Sequence, residues 1–239
     1  MLSVLYRDAQ LVAVDKPPGL LVHRTRIAEA DTFVLQRLRD QLGQRVYPAH
    51  RLDRPTSGVL VFGLNADAAR RLSAQFEARQ VAKHYLAVVR GWPAAAGHID
   101  HPLDDPDADT QAQQQPRAAR TAYRRLATVE LPVAVGRYPT SRYALVLVTP
   151  HTGRRHQIRR HFAHIRHPLV GDTTHGEGRH NRFFRLQFGL HRLLLHAWQL
   201  DFTHPYTAAP LRIQAPPDLD WQRLLATLGW SHALPGAEA

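Results

Sequence analysis

Cysteine is absent from this chain of 239 residues. Its absence excludes a disulfide framework, a thiol nucleophile and any cysteine-based metal site, and it fits a reducing compartment such as the cytosol. Long apolar runs are missing as well, because Arg7, Asp8 and Asp15 interrupt the N-terminal segment and a membrane-spanning helix needs about 20 apolar residues. We therefore expect a cytoplasmic protein with neither a signal peptide nor a membrane span.

Several catalytic motifs are also missing. No strand-like segment is followed by a glycine-rich phosphate loop, which disfavours a doubly wound nucleotide-binding fold. Ser57 lies in PTSGV rather than in a G-x-S-x-G motif, and no carboxylate pair typical of glycoside hydrolysis stands out. The sixteen histidines contain no H-E-x-x-H motif, and arginines surround those of residues 151–167. We therefore expect no metal ion and interpret these histidines as solvated or RNA-facing.

Positive charge is abundant. The chain carries 31 basic and 20 acidic residues, which gives a formal net charge of +11. Such an excess favours a polyanionic partner, because neutralised phosphates release their counterions. Only Lys16 and Lys83 are lysines, so the arginine excess can also reflect genome composition. Clustering favours nucleic acid, since residues 151–185 contain eight arginines and only two acids, Asp172 and Glu177.

Apolar patterns predict an α+β fold around a mixed, mostly antiparallel sheet flanked by helices and loops. Strands are predicted at residues 10–16, 58–64, 83–91, 142–150, 193–202 and 210–213. Helices are predicted at residues 31–43, 65–80, 156–165 and 218–229, with Asn65 as a cap and Gly43 as a stop. Residues 104–120 are polar and nearly free of bulky apolar side chains, which indicates a flexible insertion.

The segment HRLDRPTSG, residues 50–58, places the carboxylate of Asp53 between Arg51 and Arg54. A nearby guanidinium keeps a carboxylate ionised, as an acid used in catalysis requires. The same residue types also form ordinary turns that lead into a strand. Local chemistry therefore leaves both a catalytic and a structural interpretation open.

This segment resembles the H-R-L-D-x-x-T-S-G loop of the RluA-type pseudouridine synthases. KHYLAVVRG and TGRRHQIRRHFAHIRHPLVGD follow in the order of that family, and VDKPPGLLVH and RLLLHAWQLDFTHP bring the ordered matches to five. LATVELPVAVGRYPTSRY and FGLHRLLLHAWQL most resemble the TruC-like branch, which modifies tRNA. The resemblance implies a pseudouridine-synthase catalytic fold with a central RNA-binding cleft. It also implies a single catalytic domain over residues 1–239, without a separate N-terminal RNA-binding domain.

The family's reaction cuts the bond from N1 of uracil to ribose, turns the base and joins C5 to the ribose, without a cofactor or metal. The resemblance implies that Asp53 is the catalytic aspartate, either attacking the sugar or removing a ribose proton. It implies that Arg159 pairs with Asp53, and that Tyr85 stacks on the uracil and takes the C5 proton. Without the family, Tyr85 would be interpreted as a core tyrosine.

RNA contacts are implied for further basic residues. Arg51 matches the arginine that fills the space left by the flipped base, and a loop at residues 175–185 is expected to grip phosphates. The other expected RNA contacts are Arg154, Arg155, His156 and Arg160. The branch implies a monomer acting on tRNA, at uridine 65 in the T-stem next to the acceptor stem. The alternatives are the same reaction on 23S ribosomal RNA, a non-catalytic RNA-binding protein and a metal-dependent nuclease.

Overall fold

A computed structural model describes residues 1–22, 33–105 and 114–236. The described residues form ten strands: β1 (Ser3–Arg7), β2 (Leu11–Lys16), β3 (Tyr47–Pro48), β4 (Ser57–Gly63), β5 (Ala82–Arg90), β6 (Ala96–Asp100), β7 (Arg120–Leu131), β8 (Ser141–Pro150), β9 (Leu195–Thr203) and β10 (Pro210–Gln214). The helices are α1 (Val34–Leu42), α2 (Ala66–Glu77), α3 (Gln157–His164), α4 (Gly178–Phe188) and α5 (Leu219–Thr227). The predicted α+β class is thus confirmed, and none of the described helices has the length and apolarity to cross a membrane.

The chain divides into two compact units. Unit 1 comprises Met1–His84 and His196–Pro216, and unit 2 comprises Tyr85–Leu195 and Pro217–Ala239. The single catalytic domain over residues 1–239 and its central cleft stay predictions.

Unit 1 is built on a mixed set of strands. They follow the order β1, β2, β4, β9 and β10, with β3 also on β4. Only the β4 and β9 pairing in this unit is parallel; the other described pairings are antiparallel. Leu11 and Val61 from the strands pack with Leu72 of α2 and Leu200 of β9 in one buried cluster. This cluster fixes the start of β4, which directly follows the HRLDRPT segment.

Unit 2 is built on four antiparallel strands in the order β5, β8, β7 and β6. Tyr85 of β5 pairs with Val148 of β8, which in turn pairs with Tyr123 of β7. Paired residues lie on the same face of a sheet. Helix α3 covers this face, because Ile158 and Phe162 are buried in the same apolar cluster as Val148.

Local signals in the sequence correctly predict most elements. Helix α2 begins after Asn65, whose side chain accepts a hydrogen bond from the backbone amide of Ala68 at 2.8 Å, and α1 ends at Gly43 with φ of 67°. The expectation of a loop at residues 175–185 is wrong, because α4 begins at Gly178. The buried residues of this helix are Asn181 and Phe184. Because one of the two is polar, the segment lacks the apolar spacing that predicts a helix. Strands β1, β3, β6 and β7 were not predicted either.

The predicted insertion at residues 104–120 is described only in part, since residues 106–113 lie outside the described residues. At its base, Leu103 and Arg117 exchange two backbone hydrogen bonds of 3.0 Å each. Strand β7 begins at Arg120, so the last residue of the predicted insertion already belongs to the sheet.

Gly58 is expected to tolerate no side chain. Its φ is 110°, and a Cβ atom there would lie 2.2 Å from the carbonyl oxygen of Ala197 in β9. We expect Gly58→Ala to lower the free energy of unfolding by at least about 3 kcal/mol, from backbone strain and the clash together. Gly43→Ala is the control, because its φ is also positive but no atom lies within 4 Å. That control should cost about 1–2 kcal/mol in urea denaturation, and equal losses in the two variants would contradict the clash.

Candidate active site

The HRLDRPTSG segment is an ordered turn in unit 1. The carbonyl of Asp53 accepts a hydrogen bond from the amide of Thr56 at 3.1 Å, and the chain then enters β4 at Ser57. The Asp53 side chain is partly buried, whereas Arg51 is exposed. The structural and the catalytic interpretation of this segment are therefore compatible, because a turn presents the acid.

Lys16 stabilises this turn through a hydrogen bond to the carbonyl oxygen of Arg54. Its side chain is fully buried, and its Nζ donates hydrogen bonds to the carbonyl oxygens of Pro17, Leu20 and Arg54 at 2.9, 2.8 and 3.0 Å. A buried ammonium is stable only when its donors are satisfied. Lys16 thus fastens the residue after Asp53 to the Pro-Pro-Gly turn that follows β2.

Arg54 makes the second connection between the same two turns. Its Nε donates to the carbonyl oxygen of Gly19 at 2.9 Å, and its own carbonyl accepts from the amide of Gly19 at 2.8 Å. The sequence assigned no role to Arg54, since its partners are backbone groups that leave no signal in side-chain patterns. Its contacts position the Asp53 turn.

Ser57 forms a buried pair with a histidine. Its Oγ lies 2.8 Å from Nδ1 of His196, and Nε2 of that ring lies 3.0 Å from the carbonyl oxygen of Ala215. Because a carbonyl only accepts, Nε2 carries the proton and Nδ1 accepts from the serine hydroxyl. Ser57 is 1% exposed and His196 0% exposed. Such burial points to a structural connection of β4 with β9 rather than to an exposed nucleophile.

Arg159 lies in α3 of unit 2, and Gln157 fixes the start of that helix. The Gln157 side chain accepts from Thr152 Oγ1 at 2.6 Å and from the Arg154 amide at 2.9 Å. It also donates to the Arg120 carbonyl oxygen at 3.0 Å and to Thr121 Oγ1 at 2.9 Å. The side-chain amide is buried, and both its oxygen and its nitrogen make two hydrogen bonds. It therefore connects the start of the helix with β7.

The guanidinium of Arg159 is buried against a carboxylate. Its Nε and one Nη each donate to Asp172 at 2.8 Å, and the two side chains are 4% and 1% exposed. Asp172 also accepts from the amides of Thr174 and His175 at 2.9 and 3.0 Å. Burial alone would raise the pKa of Asp172, but the hydrogen bonds from Arg159 and these amides hold that pKa below the ordinary carboxyl value.

Sequence reasoning did not place Asp172 at the site. The available signal was its isolation, as one of two acids among the eight arginines of residues 151–185. Its geometry makes Asp172 a positioning residue for Arg159, because a bidentate pair fixes the guanidinium plane.

Tyr85 lies in the same unit as Arg159. Its ring is partly buried and packs against the cluster that also holds Ile158 and Phe162 of α3. Unit 2 therefore supports both residues on one core, while Asp53 belongs to unit 1. The pairing of Asp53 with Arg159 stays a prediction.

The remaining expected RNA contacts of unit 2 are basic residues that have partners within the chain. Arg154 and Arg155 contact the flanks of the predicted insertion, and Arg160 contacts Asp104 at its beginning. The contacts are Arg154 with the Ala118 carbonyl at 3.3 Å, Arg155 with Asp105 at 3.3 Å, Arg160 with the Asp104 carbonyl at 2.6 Å and His156 with His175 at 3.0 Å. Their proposed contacts with RNA stay predictions.

The interpretation of the histidines as solvated or RNA-facing is wrong for His161. Its ring is fully buried, with Nδ1 2.9 Å from Thr121 Oγ1 and Nε2 3.0 Å from the carbonyl oxygen of His101. Burial lowers its pKa. In the part of the chain that the structure describes, no group of three or more His, Asp or Glu side chains is arranged to hold a metal ion.

Comparison with known proteins gives consistent matches over most or all of the chain. Residues 10–164 match the family described as RNA pseudouridylate synthase. The chain is 53% identical over 240 residues to tRNA pseudouridine synthase C of Vibrio cholerae, and the alignment covers 98% of both proteins. It is 51% identical to the protein of the same name from Salmonella typhi, with coverage of 100% of this chain and 94% of the relative.

Two solved human structures are similar in fold. RNA Pseudouridylate Synthase Domain Containing 1 superposes with a TM-score of 0.72 at 27% identity, covering 96% of this chain and 95% of the human one. RNA Pseudouridylate Synthase Domain Containing 4 superposes with a TM-score of 0.75 at 25% identity, covering 95% and 93%.

Removing the Lys16 ammonium should destabilise the Asp53 turn. We expect Lys16→Met to lower the free energy of unfolding by about 3 kcal/mol, because the carbonyl oxygens of Pro17, Leu20 and Arg54 lose a charged donor. Lys83→Met makes the same chemical change in β5, where burial already lowers the pKa of the lysine. A lowered pKa means that the folded state disfavours the charge of Lys83, so Lys83→Met should lower the free energy of unfolding much less than Lys16→Met in urea denaturation. Equal losses would show that Lys16 has no special role in the turn.

Removing the charge of Asp172 should destabilise unit 2. We expect Asp172→Asn to lower the free energy of unfolding by about 3 kcal/mol or more at pH 7, because the buried guanidinium of Arg159 loses the negative charge of its bidentate partner. The pair stabilises the wild type fully above about pH 4, and its contribution is lost as the pH falls through the lowered pKa of Asp172. The difference between wild type and variant should therefore shrink in acid.

Asp100→Asn is the matched control for this change. Asp100 and Arg120 form a pair at 3.2 Å in which both side chains are more than half exposed, so its loss should cost less than about 1 kcal/mol. Chemical denaturation of both variants between pH 3 and 8 measures the comparison. A pH-independent loss in Asp172→Asn would argue against the ion pair as its cause.

Proposed function

The chain belongs to the RNA pseudouridylate synthase family, and from that membership we propose that it isomerises a uridine of tRNA to pseudouridine. It is therefore an isomerase of the RluA type. The observation that carries the tRNA assignment is the identity of about half of all residues, over essentially the full length, with relatives named tRNA pseudouridine synthase C.

The reaction needs an acid, a basic partner and a group that removes one proton from the base. The bond between N1 of uracil and C1′ of ribose breaks, the base turns, and C5 bonds to C1′. C5 then loses its proton and N1 gains one, so that atoms balance without an oxidant or reductant. We propose that no cofactor is required.

Asp53 is the proposed catalytic residue. Either of its two possible roles, attack on C1′ or removal of a ribose proton, requires the carboxylate. The turn that carries it is clamped by Lys16 and Arg54, which limits the positions that the side chain can sample. Preorganisation of this kind is what a reacting group needs.

Arg159 is the proposed cationic partner of Asp53, and Tyr85 the proposed uracil-stacking residue and C5 base. The support for Arg159 is its burial with a second carboxylate, Asp172, which holds the guanidinium in one orientation. Support for Tyr85 comes from its partial burial, which holds the ring on the α3 core while leaving part of it exposed.

Access to a base within a stem requires flipping it out at a cost of a few kcal/mol. Exposed Arg51 is the proposed occupant of the vacated space. Arg154, Arg155, His156 and Arg160 are the proposed phosphate contacts. RNA would compete with the acidic and backbone partners of the three arginines and with His175 for His156. The proposed target is uridine 65 of tRNA, and we place the enzyme in the cytoplasm as a monomer.

The direct test uses an unmodified tRNA transcript and counts pseudouridine formed per enzyme. We expect Asp53→Asn to bind the transcript like the wild type and to form no pseudouridine, because a neutral amide can neither attack nor remove a proton. Asp40→Asn removes an exposed carboxylate of the same unit and should leave turnover unchanged. Measurable turnover by Asp53→Asn would overturn the assignment of the catalytic acid.

The choice of RNA is tested with the same assay. Replacing uridine 65 by cytidine should abolish product formation on the tRNA transcript, and a 23S ribosomal RNA transcript should remain unmodified. Product on ribosomal RNA with none on tRNA would support the proposed reaction but contradict tRNA as the substrate.

A further inference from the structure

Unit 2 contains a cavity of about 760 Å³ at the end of β5 that is distant from Tyr85. Tyr85 and Arg90 are five residues apart in this strand, which places the cavity about 17 Å from the proposed uracil-stacking residue. The cavity is formed by the end of β5, the connection from β7 to β8 and the start of α4. The residues that line it are Arg90, Gly91, Gly136, Arg137, Tyr138, Pro139, Thr140, Ser141, Arg142, Glu177, Arg179 and His180.

The lining carries an excess of positive charge, from four arginines against a single acid. Arg90 pairs with Glu177, and Arg142 pairs with Glu130 of β7 at 3.2 Å. No carboxylate within the described ranges pairs with Arg137 or Arg179. These two guanidinium groups therefore make the cavity a site for an anion.

Aromatic rings accompany these charges. Tyr138 is 59% exposed at the rim, and the Arg137 guanidinium lies over its ring at 4.7 Å. Trp92 is held by a hydrogen bond of 3.2 Å from its indole to the Val129 carbonyl, and Arg142 covers its ring at 4.5 Å. Paired aromatic and guanidinium planes are surfaces on which nucleobases stack. An exposed tyrosine contributes nothing to the binding of phosphate alone, so the ring favours a ligand that also carries a base.

The positive charge continues from the cavity along α4. Arg179, Arg182 and Arg185 are all exposed, and their spacing of three residues keeps them on neighbouring positions of one helix side. They rise about 4.5 Å per step along the axis. A nucleic-acid strand that runs from the cavity along this helix would therefore pass one guanidinium group about every 4.5 Å.

We propose that this cavity is a second RNA-contacting site that holds one unpaired nucleotide of the substrate, with its base stacked on Tyr138 and its phosphates bound by Arg137 and Arg179. The segment GRYPTSR, residues 136–142, supplies most of its lining. This segment belongs to the stretch that resembles the tRNA-modifying branch, and neither Asp53, Tyr85 nor Arg159 lies in it. The identity of the bound RNA rests on the proposed function.

The binding test compares dissociation constants for a complete tRNA transcript. Tyr138→Ala should weaken binding about 5- to 100-fold, the usual effect of losing one stacked base, whereas Tyr138→Phe should bind like the wild type because it keeps the ring. Arg179→Gln should reduce the slope of log affinity against log salt by about 1. Arg223→Gln removes an exposed arginine of α5 and should change neither quantity by a comparable amount.

Turnover distinguishes a remote binding site from a part of the catalytic centre. At saturating RNA, Tyr138→Ala should turn over at the wild-type rate, and on a short stem-loop with only the target uridine it should match the wild type in affinity as well. Wild-type affinity of Tyr138→Ala for the full transcript would overturn the proposal, as would an equal loss on the stem-loop. Failure of the proposed function looks different, because the wild type itself would then form no pseudouridine.

Discussion

A buried guanidinium must have its donors satisfied, and this constraint organises unit 2 around Arg159. Asp172 accepts two of its hydrogen bonds, and the same carboxylate accepts two backbone amides of the turn that follows it. The carboxylate can be buried only because four donors repay its lost hydration. Asp172 therefore connects helix α3 with the turn that follows it, next to the apolar cluster that holds Ile158 and Phe162.

The constraint extends to α4 through Asn181. Its amide donates to the Asp172 carbonyl at 2.7 Å and accepts from the Gly171 amide at 2.8 Å. The same helix begins at the cavity, where Glu177 and Arg179 line the wall. One helix thus contacts the backbone on both sides of the partner of Arg159 and lines the cavity.

Unit 1 also contains a buried cation, the ammonium of Lys16. Lys16 is buried and donates to three backbone carbonyls, which residues of any type at those positions would supply. Arg54 adds a side-chain and a backbone contact to Gly19. In both units, a buried cation gives rigidity to a segment that ordinary loop residues would leave free to move.

These contacts also show what the sequence could reveal. Apolar runs such as VLVF of β4 and caps such as Asn65 act through neighbouring residues, and the strands and helices that they predict are present. Strand β7 escaped because charged residues interrupt its apolar pattern and a bulge between Arg125 and Ala127 shifts its register. The roles of Lys16 and Arg54 depend on contacts with backbone carbonyls, for which a single sequence carries no signal. The role of Asp172 depends on its contact with Arg159 of α3, which the sequence signals only through the isolation of this acid among arginines.

Strand β5 adds a geometric consequence to the proposed function. Residues 86–89 are fully buried, with both faces of the strand covered, so Tyr85 and Arg90 are held at a fixed separation. An enzyme that contacts its RNA at both ends of such a strand measures the distance between a reacting uridine and a second feature of the RNA. Substrate choice by shape would then require few contacts with base edges, in keeping with the proposal that the basic residues contact mainly phosphates. Specificity for one uridine would thus arise from the rigidity of a buried strand as well as from the chemistry at Asp53.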